Sequence, residues 1–166
     1  MNRETTCMNI FDAVTIAAEA HQNDHRADGP YIAHPVRVML RVDGEHARMT
    51  AMLHDVVEDH ADDGWTFEEL DRRGCPPAVL AALRLLTHEK PHGDRADPTH
   101  IERVNDDYAA YVDRLASNPI ARSVKLADLA DNIGDGLVSD DADAWEEGRM
   151  ARYLAARERL NKEETA

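Results

Sequence analysis

The sequence predicts an all-α domain, on three observations. Apolar residues recur at helical spacing rather than in strand-like alternation, β-branched residues are few, and helix starters and breakers punctuate the chain at short intervals. Residues 9–22 carry Ile10, Val14, Ala17, Ala18 and His21 at helical spacing. Residues 23–30 are polar, with Gly29-Pro30 as a breaker. Pro35 suits a first helical turn, and Val36, Met39 and Leu40 follow as one apolar face until Gly44 ends the helix. Residues 45–59 read as one amphipathic helix. Thr66 and Glu69 make a capping box for a short helix that Gly74 stops. Pro76-Pro77 opens a helix with Val79, Leu80, Leu83 and Leu86 inside. Residues 88–99 are irregular and read as a flexible loop, a candidate lid. Tyr108, Tyr111, Val112 and Leu115 mark the next helix, which ends at Asn118-Pro119. Ile120, Val124 and Ala127 begin another, fading at Gly134 and Gly136. Asp140 to Asp143 form an acidic loop, and the last helix carries Met150, Tyr153, Leu154 and Leu160 before its end frays.

At 166 residues the chain is expected to be a single domain, residues 1–166, with a core over about 9–160. Hydrophobic residues make up 43% and charged residues 31%, the balance of a water-soluble globule. No run is apolar enough for a membrane span. The N-terminus has no basic-then-apolar signal, and the two cysteines, Cys7 and Cys75, have no partners at metal-site spacing; a cytoplasmic location is expected. Net charge is −14, which excludes general nucleic-acid binding as the expected role. It also repels phosphate-bearing molecules at long range, so a polyanion site needs a local metal or basic cluster. The oligomeric state is left open, a homo-oligomer included.

Nine histidines stand out, several inside apolar segments. On a helical wheel through 45–59, Met49, Met52, Leu53, Val56 and Val57 share one arc of about 140°. His54, Asp55, Glu58 and Asp59 share the opposite arc. The plain reading of that second arc is a solvated acidic face. Against it, three carboxylates lie together with no lysine or arginine between them, and they repel one another unless a cation offsets them. His34 lies at a helix entry, where its side chain can point off the end. Lys125, Asp128 and Asn132 form a second polar stripe on a helix whose other face is apolar. Two histidines and two carboxylates, His34, His54, Asp55 and Asp128, suit one divalent metal: Mn²⁺ or Fe²⁺ first, then Zn²⁺ or Mg²⁺. Such an ion activates water and polarises a phosphoryl oxygen, and Glu58 and Asp59 are placed to orient or deprotonate that water.

Four segments then match a known family in order and spacing. They are Ala20-His21; Gly29-Pro30-Tyr31-Ile32-Ala33-His34-Pro35; Leu53-His54-Asp55-Val56-Val57-Glu58-Asp59; and Val124-Lys125-Leu126-Ala127-Asp128 with Asn132. Across them the chain resembles the HD-domain hydrolases of the RelA/SpoT type, especially the stand-alone small alarmone hydrolases. The resemblance implies a helical HD-domain bundle and a single Mn²⁺ at His34, His54, Asp55 and Asp128. It implies water activation by Glu58 and Asp59. It implies hydrolysis of the 3′-diphosphate of guanosine tetra- or pentaphosphate to GDP or GTP and pyrophosphate, a stringent-response activity. Substrate contacts map to Arg26, Lys125, Asn132 and Tyr153. Only the hydrolase half of the family's long members is matched.

The chain departs from the family at His60, where threonine is usual, and at Leu129 and Asp131, where the long members have arginine and histidine. These changes are expected at the base- and phosphate-binding edge, away from the metal. They motivate a second reading, a phosphohydrolase of another nucleotide such as NADPH or a nucleoside monophosphate. A third reading, of another class, is a nucleotide-binding regulator without catalysis; a mere binder has no need of Glu58-Asp59. His21, on an apolar face, is expected to be a buried histidine bracing the site. His60, His88, His92 and His100 are expected at the surface, and Trp65 and Trp145 at loop–helix junctions. Taken alone, Lys125 also fits an ordinary surface lysine, and Tyr153 fits core packing.

Overall fold

The computed structural model describes residues 7–89, 91–95, 97–135 and 144–162. In chain order it contains α1 (Ile10–Ala20), β1 (His25–Arg26), β2 (Gly29–Pro30), α2 (Ala33–Met39), α3 (Glu45–Leu53) and α4 (Val56–His60). A 3₁₀ turn (Ala61–Asp63) leads to α5 (Phe67–Arg72), α6 (Pro77–Leu86), α7 (Pro98–Ala116), α8 (Pro119–Asp135) and α9 (Ala144–Lys162). The all-α class holds, with one two-residue antiparallel pair, His25 opposite Pro30 and Arg26 opposite Gly29. Among the described residues, no helix is long and apolar enough to cross a membrane.

Local chemistry sets several of the ends. The Asn9 side chain accepts from the Phe11 and Asp12 amides, and Asp12 returns a bond to the Asn9 amide, so a capping box starts α1. Thr66 Oγ1 accepts from the Glu69 amide at 3.2 Å and starts α5. The Glu69 carboxylate turns instead to Arg72 and Arg73. Gly74, at φ +81°, takes the left-handed conformation that stops α5. Pro77 and Pro98 occupy first turns, where a missing N–H is harmless.

Helix α3 is the hub. It packs on α1, α2, α6 and α8, while α9 closes over α7 and α8. Two apolar clusters result. One joins Met49, Met52 and Leu53 of α3 to Ile16 of α1, Leu70 of α5 and Leu83 of α6. The other joins Val38 and Val42 to Leu115, Val124, Leu129 and Leu160. The site forms between them, where α2, α3 and α8 meet.

Four details differ from the sequence reading. The helix expected over 45–59 is broken: α3 ends at Leu53 and α4 starts at Val56, with His54 and Asp55 in the joint. On α1 the buried face is Ala13, Ile16, Ala17 and Ala20, while Val14 is exposed. Helix α7 starts at Pro98, well before Tyr108, with His100 buried and Ile101 and Val104 half-buried in its mostly polar first half. The polar stretch 23–30 holds the small β pair rather than plain loop. The acidic loop Asp140 to Asp143 lies outside the described residues.

Candidate metal centre

His34 comes from the first turn of α2, His54 and Asp55 from the α3–α4 joint, and Asp128 from the middle of α8. One ligand atom each from His34, His54 and Asp128 lies within 4.8 Å of the other two. His34 Nε2 is 3.3 Å from Asp128 Oδ1, and His54 Nε2 is 3.9 Å from the same oxygen. Asp55 Oδ2 joins them, 3.1 Å from His54 Nε2 and 3.7 Å from His34 Nε2. Both histidines and Asp128 are buried.

The opposite nitrogens of both rings are already used. His34 Nδ1 donates to Asp131 Oδ2 at 2.8 Å, and His54 Nδ1 donates to the Ala51 carbonyl at 2.7 Å. Each neutral ring therefore carries its proton on Nδ1 and turns a bare Nε2 lone pair toward the Asp55 and Asp128 oxygens. His54 Nε2 is buried and has no hydrogen-bond partner among the described residues. Lone pairs facing lone pairs repel unless a proton or a cation lies between them. Burial alone would push the His54 imidazole down, but the Asp55 and Asp128 carboxylates outweigh it and hold it up at about 9. Asp55 and Asp128 are held well below the usual carboxylate range: burial opposes this, and His54 for Asp55 and Lys125 for Asp128 override it. The donor set, two imidazoles and two carboxylates around a shared point, fits a divalent first-row cation.

A cavity of about 320 Å³ opens onto this point. All ten residues singled out in the sequence line it: His34, His54, Asp55, Asp128, Glu58, Asp59, Arg26, Lys125, Asn132 and Tyr153. The β pair carries Arg26 across to α8, where its Nη2 donates to Asn132 Oδ1 at 2.8 Å. Asn132 Nδ2 donates to Asp128 Oδ1 at 2.5 Å, and Lys125 Nζ donates to Asp128 Oδ2 at 2.8 Å. Lys125 also lies 5.3 Å from the Tyr111 ring centre. Glu58 Oε2 accepts from the His88 amide at 3.1 Å, which ties α4 to the start of the 88–99 segment.

Sequence reasoning missed three residues. Tyr31 donates its hydroxyl to Asp55 Oδ2 at 2.5 Å and lines the cavity. Arg149 lines the cavity as a third cation. Asp131, expected at the substrate edge, is instead 1% exposed, behind His34. Arg37 and Arg41 donate to its Oδ1 at 2.9 and 2.7 Å. Leu129 is likewise buried in the core. Neither departure from the family pattern lines the cavity, so both expectations about them are corrected. A signal for Asp131 existed: Arg37 follows His34 by three residues, as Asp131 follows Asp128, so each helix presents its pair on one face. His100, expected at the surface, is buried against Trp145, with ring centres 5.9 Å apart. His60 is mostly buried, its side chain 11% exposed, and His88 reaches Asp107 at 2.6 Å. His21 is buried as expected.

No family model matches the chain. It is 29% identical over 154 residues to the guanosine-3′,5′-bis(diphosphate) 3′-pyrophosphohydrolase MESH1 of Drosophila melanogaster, a match that covers 87% of this chain and 78% of that protein. With buried histidine and aspartate clusters able to hold a metal, this likeness supports an HD-type hydrolase family for the chain.

Proposed function

We propose that the chain removes the 3′-diphosphate from guanosine tetra- or pentaphosphate, giving GDP or GTP and pyrophosphate. The observation that carries this reading is the convergence of His34 Nε2, His54 Nε2 and Asp128 Oδ1 in a cavity that also holds Arg26, Lys125 and Arg149. The similarity to MESH1, whose name carries that activity, supports the substrate.

Charge makes the same case. The cavity is lined by four carboxylates, Asp55, Glu58, Asp59 and Asp128, against three cations, Arg26, Lys125 and Arg149. With His54 protonated, the cations only balance the carboxylates; a divalent ion that replaces that proton leaves the site net positive. His34, His54, Asp55 and Asp128 would hold it, Mn²⁺ first and Fe²⁺, Zn²⁺ or Mg²⁺ as substitutes. When bound, it supplies Lewis-acid polarisation of a phosphoryl oxygen and eases deprotonation of water.

The remaining work falls to the chain. Glu58, steadied by the His88 amide, takes a proton from the attacking water, and Asp59 beside it assists. The hydroxyl joins the phosphorus nearest the ribose, the bond from that phosphorus to the 3′ oxygen breaks, and the proton passes to the ribose oxygen. Arg26 and Lys125 neutralise the diphosphate as it leaves, and Asn132 sets the angle of Arg26. Tyr153 offers the nucleoside an aromatic face at the cavity wall.

A panel of guanosine tetraphosphate, guanosine pentaphosphate, NADPH and a nucleoside monophosphate, ranked by kcat/KM with Mn²⁺, tests the assignment. The guanosine polyphosphates should rank first. NADPH or the monophosphate ranking first overturns the substrate, and no turnover of any of them favours the non-catalytic regulator.

A further inference from the structure

A second cluster of metal-type side chains lies outside this machinery: His21, Asp24 and His60. His21 caps the end of α1, Asp24 lies in the following turn, and His60 ends α4. Asp24 Oδ2 is 2.8 Å from His21 Nδ1 and 2.7 Å from His60 Nε2, and the two nitrogens are 3.1 Å apart. The three atoms mark a nearly equilateral triangle. Metal–ligand bonds of about 2.0–2.1 Å place neighbouring ligand atoms of a tetrahedral site about 3.3 Å apart, so a small expansion of this triangle makes one face of such a site.

Each ring nitrogen donates to Asp24 only if it carries a proton, and Asp24 Oδ2 then accepts from both rings. His60 Nδ1 also lies 2.9 Å from Asp63 Oδ2, so donation from both His60 nitrogens demands an imidazolium. A cation at the triangle can take the place of the protons on those two nitrogens. His60 Nε2 and His21 Nδ1 then offer lone pairs, and His60 Nδ1–H donates to Asp63. A carboxylate behind a ligating histidine is the arrangement that orients such rings. The His21 side chain is fully buried, and ligation through Nδ1 places its proton on Nε2, which has no hydrogen-bond partner among the described residues. Asp24 is 35% exposed, which leaves an entry for the ion and room for water in the fourth position.

We propose that His21, Asp24 and His60 form a second divalent-metal site, of the two-imidazole, one-carboxylate class that takes Zn²⁺ or Fe²⁺ with open positions. It adjoins the first centre through Tyr31, whose ring centre is 4.6 Å from that of His21 and whose hydroxyl donates to Asp55. His60 stands where the RelA/SpoT-type pattern has threonine, so this triad is a property of this chain's own residues.

Chelator-stripped protein, loaded with excess Zn²⁺, desalted and counted by elemental analysis, tests the proposal. The wild type should retain two equivalents. Asp24→Asn and His60→Gln should each retain one, with unchanged helicity by circular dichroism; either variant suffices if the other fails to fold. His54→Gln should also retain one, and His54→Gln with His60→Gln none. One equivalent in the wild type, lost in His54→Gln but kept in Asp24→Asn and His60→Gln, overturns the second site and leaves the first. One equivalent kept in His54→Gln and lost in His60→Gln supports the second site and overturns the ligand set proposed for the first.

Discussion

Asp131 Oδ2 accepts the Nδ1 proton of His34 at 2.8 Å while Arg37 and Arg41 hold the other oxygen of the same carboxylate. This contact fixes the His34 tautomer and aims Nε2 at Asp55 and Asp128. Outer carboxylates of this kind commonly contribute about 10–100-fold in metal affinity. Asp131→Asn should therefore weaken Mn²⁺ binding about 10-fold or more. A competition titration against a chelating dye reads this; affinity equal to wild type would show that His34 is oriented by other means.

The same carboxylate makes stability depend on pH in a defined window. Burial would raise the Asp131 pKa, but the bonds from Arg37 and His34 outweigh it and hold it at about 2. Its unfolded value is about 3.9. Because the folded value is the lower, the stabilisation is fully present above about pH 4 and is lost as pH falls toward 2. The shift corresponds to about 2.6 kcal/mol. In metal-free protein, the stability gap between wild type and Asp131→Asn, from urea unfolding, should be constant above pH 4 and shrink below it. A gap independent of pH down to 2 contradicts this account.

Glu58 and Asp59 line the cavity without belonging to the triad of converging ligand atoms. Glu58→Ala or Asp59→Ala should lower kcat by about 100-fold while metal content stays near normal. Elemental analysis beside steady-state kinetics separates the roles. Loss of the metal in either variant would move that residue into the ligand set.

Lys125 is largely buried, its side chain 13% exposed, and burial would lower its pKa, yet Asp128 and the Tyr111 and Tyr108 rings hold it well above the ordinary lysine value. It therefore stays charged across the working pH range. Lys125→Met should cut kcat/KM for guanosine tetraphosphate by about 10–100-fold, from the loss of a buried charge contact of about 1.5–3 kcal/mol. An unchanged kcat/KM would mean that the phosphates pass elsewhere in the cavity.

The fold class was legible because helical periodicity and punctuation run through nearly the whole chain, and the ten candidate residues line one cavity because motif order carries spatial information. Other features were not legible, for physical reasons. A wheel through 45–59 groups His54 with Asp55 but cannot say what faces them; His54, at the end of α3, meets α2 and α8 and is 5% exposed, while Asp59 on the same arc is exposed. It also cannot show the joint at His54 and Asp55, which lies inside a continuous periodic pattern. Tyr31 and Asp131 act through partners 24 and 97 positions away, Asp55 and His34, and no local pattern encodes such pairs. Asp131 looked like a change at the substrate edge because its partners, Arg37 on α2 and Arg41 just beyond its end, are remote in sequence and its turn of α8 faces inward.

The central claim is hydrolysis at the centre built from His34, His54, Asp55 and Asp128. Pyrophosphate release from guanosine tetraphosphate by chelator-stripped protein, before and after addition of Mn²⁺, tests it most directly, with Asp55→Ala as the matched control. The stripped protein should release none, restored Mn²⁺ should give one pyrophosphate per nucleotide, and Asp55→Ala should not recover. Release that persists in the stripped protein, or that Asp55→Ala sustains at the wild-type rate, would contradict it.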